Sequence, residues 1–186
     1  LMSLQLTGSF KEELFTNLGR IHWQKAYEIP SASRYAKGKA VVNLLNLKEG
    51  EFVTEMISVV NLIAEGSYLL FATKQGLLKK TALSFYSNPR AGGIGAIKLR
   101  EGDEVVNVML TTGGMELVLA TKKGGAVRFN EEGVREVGRN STGVRGVRLR
   151  SGDEVIGLEL GLETFDLLTV TEKGYGKRTK LSEYRL

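Results

Sequence analysis

The chain has 186 residues, a net charge of +5, a pI near 9.4 and 42% hydrophobic residues, enough apolar content for a packed core. It has no cysteine and one histidine, His22, which excludes a disulfide framework and argues against a thiolate or histidine metal site. No apolar run approaches the ~20 residues needed to span a membrane, so the expectation is a soluble, cytoplasmic protein. The excess charge is uneven: residues 1–72 carry seven Lys/Arg and seven Asp/Glu, and residues 73–186 carry nineteen and fourteen. Clustered basic residues suggest a polyanion partner.

Along the chain, Thr16-Asn17-Leu18-Gly19 returns as Thr73-Lys74-Gln75-Gly76, Thr121-Lys122-Lys123-Gly124 and Thr171-Glu172-Lys173-Gly174, at intervals of 57, 48 and 50 residues. A second marker follows the first three: Gly38-Lys39-Ala40-Val41-Val42-Asn43-Leu44, Gly93-Ile94-Gly95-Ala96-Ile97-Lys98-Leu99 and Gly143-Val144-Arg145-Gly146-Val147-Arg148-Leu149. Two markers recurring in register indicate stacked supersecondary units. The units run roughly 1–55, 56–106, 107–156 and 157–186, the last incomplete.

Each unit reads as short strands. Val105–Leu110 and Glu116–Thr121 flank Gly113-Gly114, a hairpin signal, and Ala126–Phe129 follows the next turn. Gly143 opens a strand in which Val147 and Leu149 alternate with Arg148 and Arg150, the pattern of one buried and one solvated face. The best helical candidate, Ser84–Asn88, is too short for an amphipathic helix. Four short strands per unit predict an all-β, propeller-like ring of which about three and a half blades are present.

The basic residues recur at fixed places. Three and four residues beyond the turn glycine stand Lys79 and Lys80, then Val127 and Arg128, then Lys177 and Arg178; the first unit has His22 and Trp23. Five and seven residues beyond the second glycine stand Lys98 and Arg100, then Arg148 and Arg150. Arg34, Arg90 and Arg139 precede that glycine, and Arg145 follows it in the third unit. These thirteen cations (Arg34, Lys79, Lys80, Arg90, Lys98, Arg100, Arg128, Arg139, Arg145, Arg148, Arg150, Lys177 and Arg178) form the candidate polyanion-binding set. A regular stripe of charge suits a phosphate backbone, which is read without base-specific geometry. His22 has no carboxylate or nucleophile at a telling spacing and reads as structural. Gly102-Asp103-Glu104 and Gly152-Asp153-Glu154 follow strands and read as turns, not paired catalytic acids. No nucleophile–base pair, cofactor loop or small-molecule site can be argued, so the expected chain is non-catalytic and takes no cofactor.

Tyr27-Glu28-Ile29-Pro30, Val42-Asn43-Leu44-Leu45, Asn140 through Leu149 and Gly174-Tyr175-Gly176-Lys177-Arg178-Thr179 resemble the C-terminal domain of the DNA gyrase A subunit, and the resemblance runs from about Leu14 to Tyr184. It implies a β-pinwheel, in which neighbouring blades exchange strands and duplex DNA wraps around a basic rim in support of ATP-dependent negative supercoiling. It implies as partners the core of the gyrase A subunit, with its cleaving tyrosine, together with the gyrase B subunit; ATP and Mg2+ belong to those other parts, and none of the tyrosines here inherits the nucleophile role. It also implies a nucleoid-associated location. Two departures stand out: no segment resembles the family's basic heptapeptide Gln-Arg-Arg-Gly-Gly-Lys-Gly, and the fourth unit stops at Leu186, as in a fragment lacking its last blades. The rival expectations are a protein-interaction propeller of the kelch or regulator-of-chromosome-condensation kind, or the equivalent domain of topoisomerase IV.

Overall fold

A computed structural model describes residues 11–59 and 61–186; the first ten residues of the first unit lie outside it. Among the described residues thirteen strands follow in order: β1 (Lys11–Thr16), β2 (Arg20–Lys25), β3 (Val53–Val59), β4 (Tyr68–Thr73), β5 (Leu77–Ala82), β6 (Ile94–Gly95), β7 (Val105–Thr111), β8 (Glu116–Thr121), β9 (Ala126–Asn130), β10 (Val144–Arg145), β11 (Val155–Leu160), β12 (Asp166–Val170) and β13 (Gly176–Lys180). All pairs are antiparallel, in sheets ordered β3-β1-β2-β6, β10-β5-β4-β7, β11-β8-β9 and β12-β13. The all-β, propeller-like architecture is as the repeats predict. Ser84–Asn88 contributes only to the 3₁₀ turn Leu83–Tyr86. Among the described residues no helix is long and apolar enough to cross a membrane.

The repeated Thr and Gly build one turn four times. The Thr hydroxyl accepts from the backbone N–H four residues on, at Arg20 (3.3 Å), Leu77 (3.1 Å), Gly125 (3.0 Å) and Tyr175 (3.2 Å). The glycine N–H donates to the Thr carbonyl, and Gly76 adopts φ +85°, a conformation that is costly for a residue with a Cβ.

The second marker is the exchanged strand. β6 follows the second hairpin in sequence, yet pairs with β2 of the first sheet; β10 follows the third hairpin and pairs with β5 of the second. A Cβ placed on Gly143 would stand 2.3 Å from the Leu78 carbonyl oxygen, so the approach requires glycine. The strand predicted to run from Gly143 is paired only over Val144–Arg145. Gly146 and Val147 both donate to the Gly76 carbonyl, at 2.9 and 3.3 Å, and there the ladder ends at the turn. In the first unit the corresponding stretch is a 3₁₀ turn, Val41–Asn43, with Val42 and Asn43 exposed.

One expectation is corrected. Val105–Leu110 and Glu116–Thr121 do not form a hairpin: β7 pairs with β4, completing the second sheet, while β8 pairs with β9 and β11. Gly113 (φ +89°) and Gly114 (φ +67°) carry the chain from one sheet to the next. β3, β7 and β11 thus form the inner edges of successive sheets, and neighbours among them are in contact.

Two cores lie between successive sheets. Leu69 and Phe71 join Phe15, Ile21, Leu83, Tyr86 and Val108 in one; Leu70 and Ala72 join Leu78, Leu117, Leu119 and Leu158 in the other. Alternate residues of β4 therefore serve opposite neighbours, which is why Leu69–Ala72 is apolar throughout. Phe15 meets Phe71 edge to face with centroids 5.7 Å apart.

The docking of the exchanged strand yields a paired expectation. Gly143→Ala combines a left-handed φ of +93° with a backbone clash and should cost about 2–5 kcal/mol. Gly38→Ala, at φ +74° with no atom within 4 Å of its Cβ, should cost only the conformational strain, about 1–2 kcal/mol. Urea midpoints of the two variants test this; equal losses would show that the clash at Gly143 carries no weight.

Candidate nucleic-acid interface

The thirteen candidate cations fall into two environments. Lys98, Arg100, Arg148 and Arg150 project into solvent, alternating with buried Ile97 and half-buried Leu99, Val147 and Leu149. Their segments hang from the turn glycines: Ala96 and Ile97 donate to the Gly19 carbonyl (2.8 and 3.3 Å), and Gly146 and Val147 to that of Gly76. Lys98 and Arg100 therefore flank the first sheet, and Arg148 and Arg150 the second, at matching positions. Arg34, Arg90, Arg145, Lys177 and Arg178 are also exposed, and Arg139 is half-buried. Arg34 lies over the Tyr35 ring at 5.9 Å, and Arg178 Nε stands 3.3 Å from Asp166 Oδ2.

The positions beyond the turn glycine behave differently, and here the sequence reading is corrected. Lys79 is fully buried: its ammonium donates to the Ala96 carbonyl (2.8 Å) and the Tyr86 hydroxyl (3.2 Å), and it sits 5.1 Å from the Phe71 ring centroid. Arg128 is 5% exposed; its guanidinium is tied to Glu116, to Glu163 (3.4 Å) and to the Leu181 and Tyr184 carbonyls. Neither presents charge to a ligand. Lys80 is partly buried, 3.5 Å from Glu131 and 5.0 Å from the Tyr68 ring centroid. Both faces of the second sheet are covered by neighbours, so period-two alternation sends no side chain of β5 fully into water.

Two cations outside that set share the exposed edge. Lys123 donates from Nζ to the Ser151 carbonyl (2.7 Å) and lines a 280 Å³ cleft with Arg148, Arg150, Asp153 and the Gly124-Gly125 turn. Lys122 pairs with Glu154 at 2.9 Å. Both occupy the middle of the repeated Thr-x-x-Gly turn, and their exposure follows from that place.

The remaining polar candidates are structural. Asp103 accepts from the Gln75 and Glu104 backbone N–H groups (2.8 and 2.9 Å), and Asp153 from those of Lys123 and Glu154 (3.0 and 2.9 Å). Each thereby locks the start of an inner strand to the turn of its own sheet. His22 is buried beside Glu51 (3.8 Å), and its pKa is lowered by burial and by Arg20. Trp23 is half-buried against the first core.

Burial leaves two groups of the first two sheets titrating near neutrality. Glu13 is pushed up to about 7 by burial, and Lys79 is pulled down to about 7 by burial and, second, by Arg139. Folded Glu13 binds more protons than unfolded Glu13 between pH 4.5 and 7, so its contribution is lost as pH rises through that window. Unfolded Lys79 binds more protons between pH 7 and 10.5, so stability increases with pH there. The two groups together should give stability a minimum near pH 7, with limbs of up to about 1.4 kcal/mol per pH unit. In urea unfolding from about pH 5 to pH 9, Glu13→Gln should flatten the acid limb and Lys79→Met the alkaline one. Unchanged profiles in both variants would refute the assignment.

Residues 14–59, 67–112, 116–160 and 166–186 match the family described as DNA gyrase C-terminal domain, beta-propeller. The chain is 55% identical over 171 residues to the DNA gyrase A subunit of Clostridium acetobutylicum, covering 92% of this chain and 20% of that protein. It is 45% identical over 128 residues to the Streptococcus pyogenes counterpart, covering 69% of this chain and 16% of that one. The chain thus spans about a fifth or less of these curated relatives. In structure it resembles the C-terminal domain of DNA topoisomerase IV (TM-score 0.87, 30% identity, 96% of this chain and 55% of that one). With four consecutive units matched, each built on the same turn, the chain belongs to the family of DNA gyrase C-terminal domains carried by the gyrase A subunit.

Proposed function

We propose that the chain binds duplex DNA through its phosphate backbone and bends it, without sequence preference and without catalysis of its own. In this reading it serves within a DNA gyrase A subunit, with the gyrase B subunit, in ATP-dependent negative supercoiling in the bacterial cytoplasm. The observation that supports it is the in-register exposure of Lys98 with Arg100 and Arg148 with Arg150 on successive sheets. Long, mobile cations spaced along an edge suit a polyanion path and carry no base-reading geometry. Arg34, Arg90, Arg139, Arg145, Lys177 and Arg178 extend that set, and Lys122 and Lys123 add to it. Lys79 and Arg128 do not belong to it. The 55% identity to the gyrase A subunit of Clostridium acetobutylicum favours gyrase over topoisomerase IV.

A duplex titration tests this. If about 6–10 phosphates are neutralised, affinity should fall by roughly 10³–10⁵ between 50 and 200 mM salt. A flat salt response, or strong preference for one sequence, would exclude backbone binding and leave a protein-interaction propeller as the better account. Reversing Lys98, Arg100, Arg148 and Arg150 should shrink the salt slope by roughly 0.9 for each phosphate no longer neutralised. Each reversal should change stability by no more than about 0.5 kcal/mol. Lys79→Met should leave the slope as it was.

A further inference from the structure

At each boundary between successive units the same two repeat positions belong to one packed region, in direct contact at the second and third, and their chemistry changes in step. One is the fourth residue beyond the turn glycine: Trp23, Lys80 and Arg128. The other is the first residue of the next unit's 3₁₀ turn: Leu83, Glu131 and Leu181. These three are equivalent, because each backbone N–H donates to the carbonyl just before its own sheet's first hairpin strand, at Ser67 (2.9 Å), Met115 (2.8 Å) and Phe165 (3.0 Å). At the first boundary Trp23 packs on the core that contains Leu83. At the second, the Lys80 ammonium stands 3.5 Å from the fully buried Glu131 carboxylate, which also accepts from Thr111 Oγ1 at 2.7 Å. At the third, Arg128 Nη1 donates to the Leu181 and Tyr184 carbonyls at 3.3 and 3.2 Å. Apolar meets apolar, ammonium meets carboxylate, and guanidinium meets carbonyl.

The place of these contacts gives them leverage. Successive sheets touch along their inner edges, β3 with β7 and β7 with β11. Trp23, Lys80 and Arg128 stand on β2, β5 and β9, the third strand out from those edges. The apolar cores and the exchanged strands β6 and β10 also hold successive sheets together. Apolar packing is non-directional, whereas a charged or hydrogen-bonded contact at the third strand has a preferred distance and direction and so restricts the angle between them. Lys98 and Arg100 ride on the first sheet and Arg148 and Arg150 on the second, so the angles between sheets decide how the path of exposed cations curves.

We propose that Lys80 with Glu131, and Arg128 with the Leu181–Tyr184 turn, are positioning residues that set the angle between successive blades and so the curvature imposed on bound duplex. The inference rests on the DNA-binding reading above. A duplex of about 15 base pairs can bind without bending, whereas one of about 60 base pairs, still shorter than the ~150-base-pair persistence length, bends only if the protein bends it. The test measures affinity for the short duplex, end-to-end energy transfer in the long one, and small-angle scattering of the free chain. Lys80→Met should keep short-duplex affinity within about twofold, lower the energy transfer and raise the radius of gyration, since an unpaired buried carboxylate opens the boundary. The exchanged pair Lys80→Glu with Glu131→Lys should restore both readings, which general loss of stability would not allow. If Lys80→Met fails to fold, the exchanged pair and the neutral pair Lys80→Gln with Glu131→Gln carry the comparison: the first should bend as the parent does and the second less. A tenfold or greater loss of short-duplex affinity in Lys80→Met would make Lys80 a DNA contact and overturn the proposal, as would unchanged bending or failure of the exchanged pair to restore it. If the parent chain binds neither duplex, the DNA reading fails by itself; the scattering then decides, and equal radii in parent and variant would overturn the positioning role as well.

Discussion

The close approach of one unit's backbone to its predecessor's sheet is the constraint from which the rest of the structure follows. At Gly143 the chain passes so near the Leu78 carbonyl that a side chain is excluded, and at Gly93 it passes similarly close to Ile21 and His22. Those passages let β10 and β6 complete sheets to which they do not belong in sequence. Neither of those sheets is then self-sufficient, and the apolar surface is buried between units, where Leu69 and Phe71 serve one neighbour and Leu70 and Ala72 the other. The segment after each exchanged strand is pinned to a turn glycine, which holds Lys98, Arg100, Arg148 and Arg150 outward.

The same geometry sorts the charges. A cation on a segment laid over the outside of a sheet has water on one side. A cation on a strand inside a sheet with neighbours on both faces does not, and it survives there only with partners. Lys79 finds the Ala96 carbonyl and two aromatic rings; Arg128 finds two carboxylates and two carbonyls. Removing one partner of such an arrangement is costly because the other is left buried and unpaired. Lys79 and Arg128 hold adjacent places of the repeat, three and four residues beyond the turn glycine, and their burial reflects the packing between units, so only part of the basic pattern is free to meet a ligand.

Much of this was legible in the sequence. The recurring Thr-x-x-Gly marks a turn, the second glycine marks the opening of a strand, and alternation over 97–100 and 147–150 separates the solvated from the packed residues. That the Thr hydroxyl closes the turn and that the strand joins the preceding sheet is seen in the structure. Strand partnership was not legible. Val105–Thr111 and Glu116–Thr121 flank a Gly-Gly pair as hairpin strands do, and nothing in their period tells that β7 turns back to β4. Nor could local pattern assign Lys79. In Leu77-Leu78-Lys79-Lys80 a strand with one wet face would place one lysine outside; that both faces are covered is a property of the assembled units. Arg128 was hidden because its carbonyl partners lie more than fifty residues downstream.

The direction of strand exchange has a consequence for how the protein is made. In both exchanges the donor comes from the later unit and the acceptor is the earlier one: Ile94 reaches back to Ile21, and Val144 to Leu78. A ribosome delivers the acceptor first. At ~5–20 residues per second, the first sheet waits several seconds with an unpaired edge until its donor emerges. An unpaired edge is a template for any passing strand. Because β5 emerges shortly before β6 closes the edge of β2, the waiting edges belong to two successive units at most, so folding advances behind the ribosome as a moving front and the exposed template never grows with the length of the array.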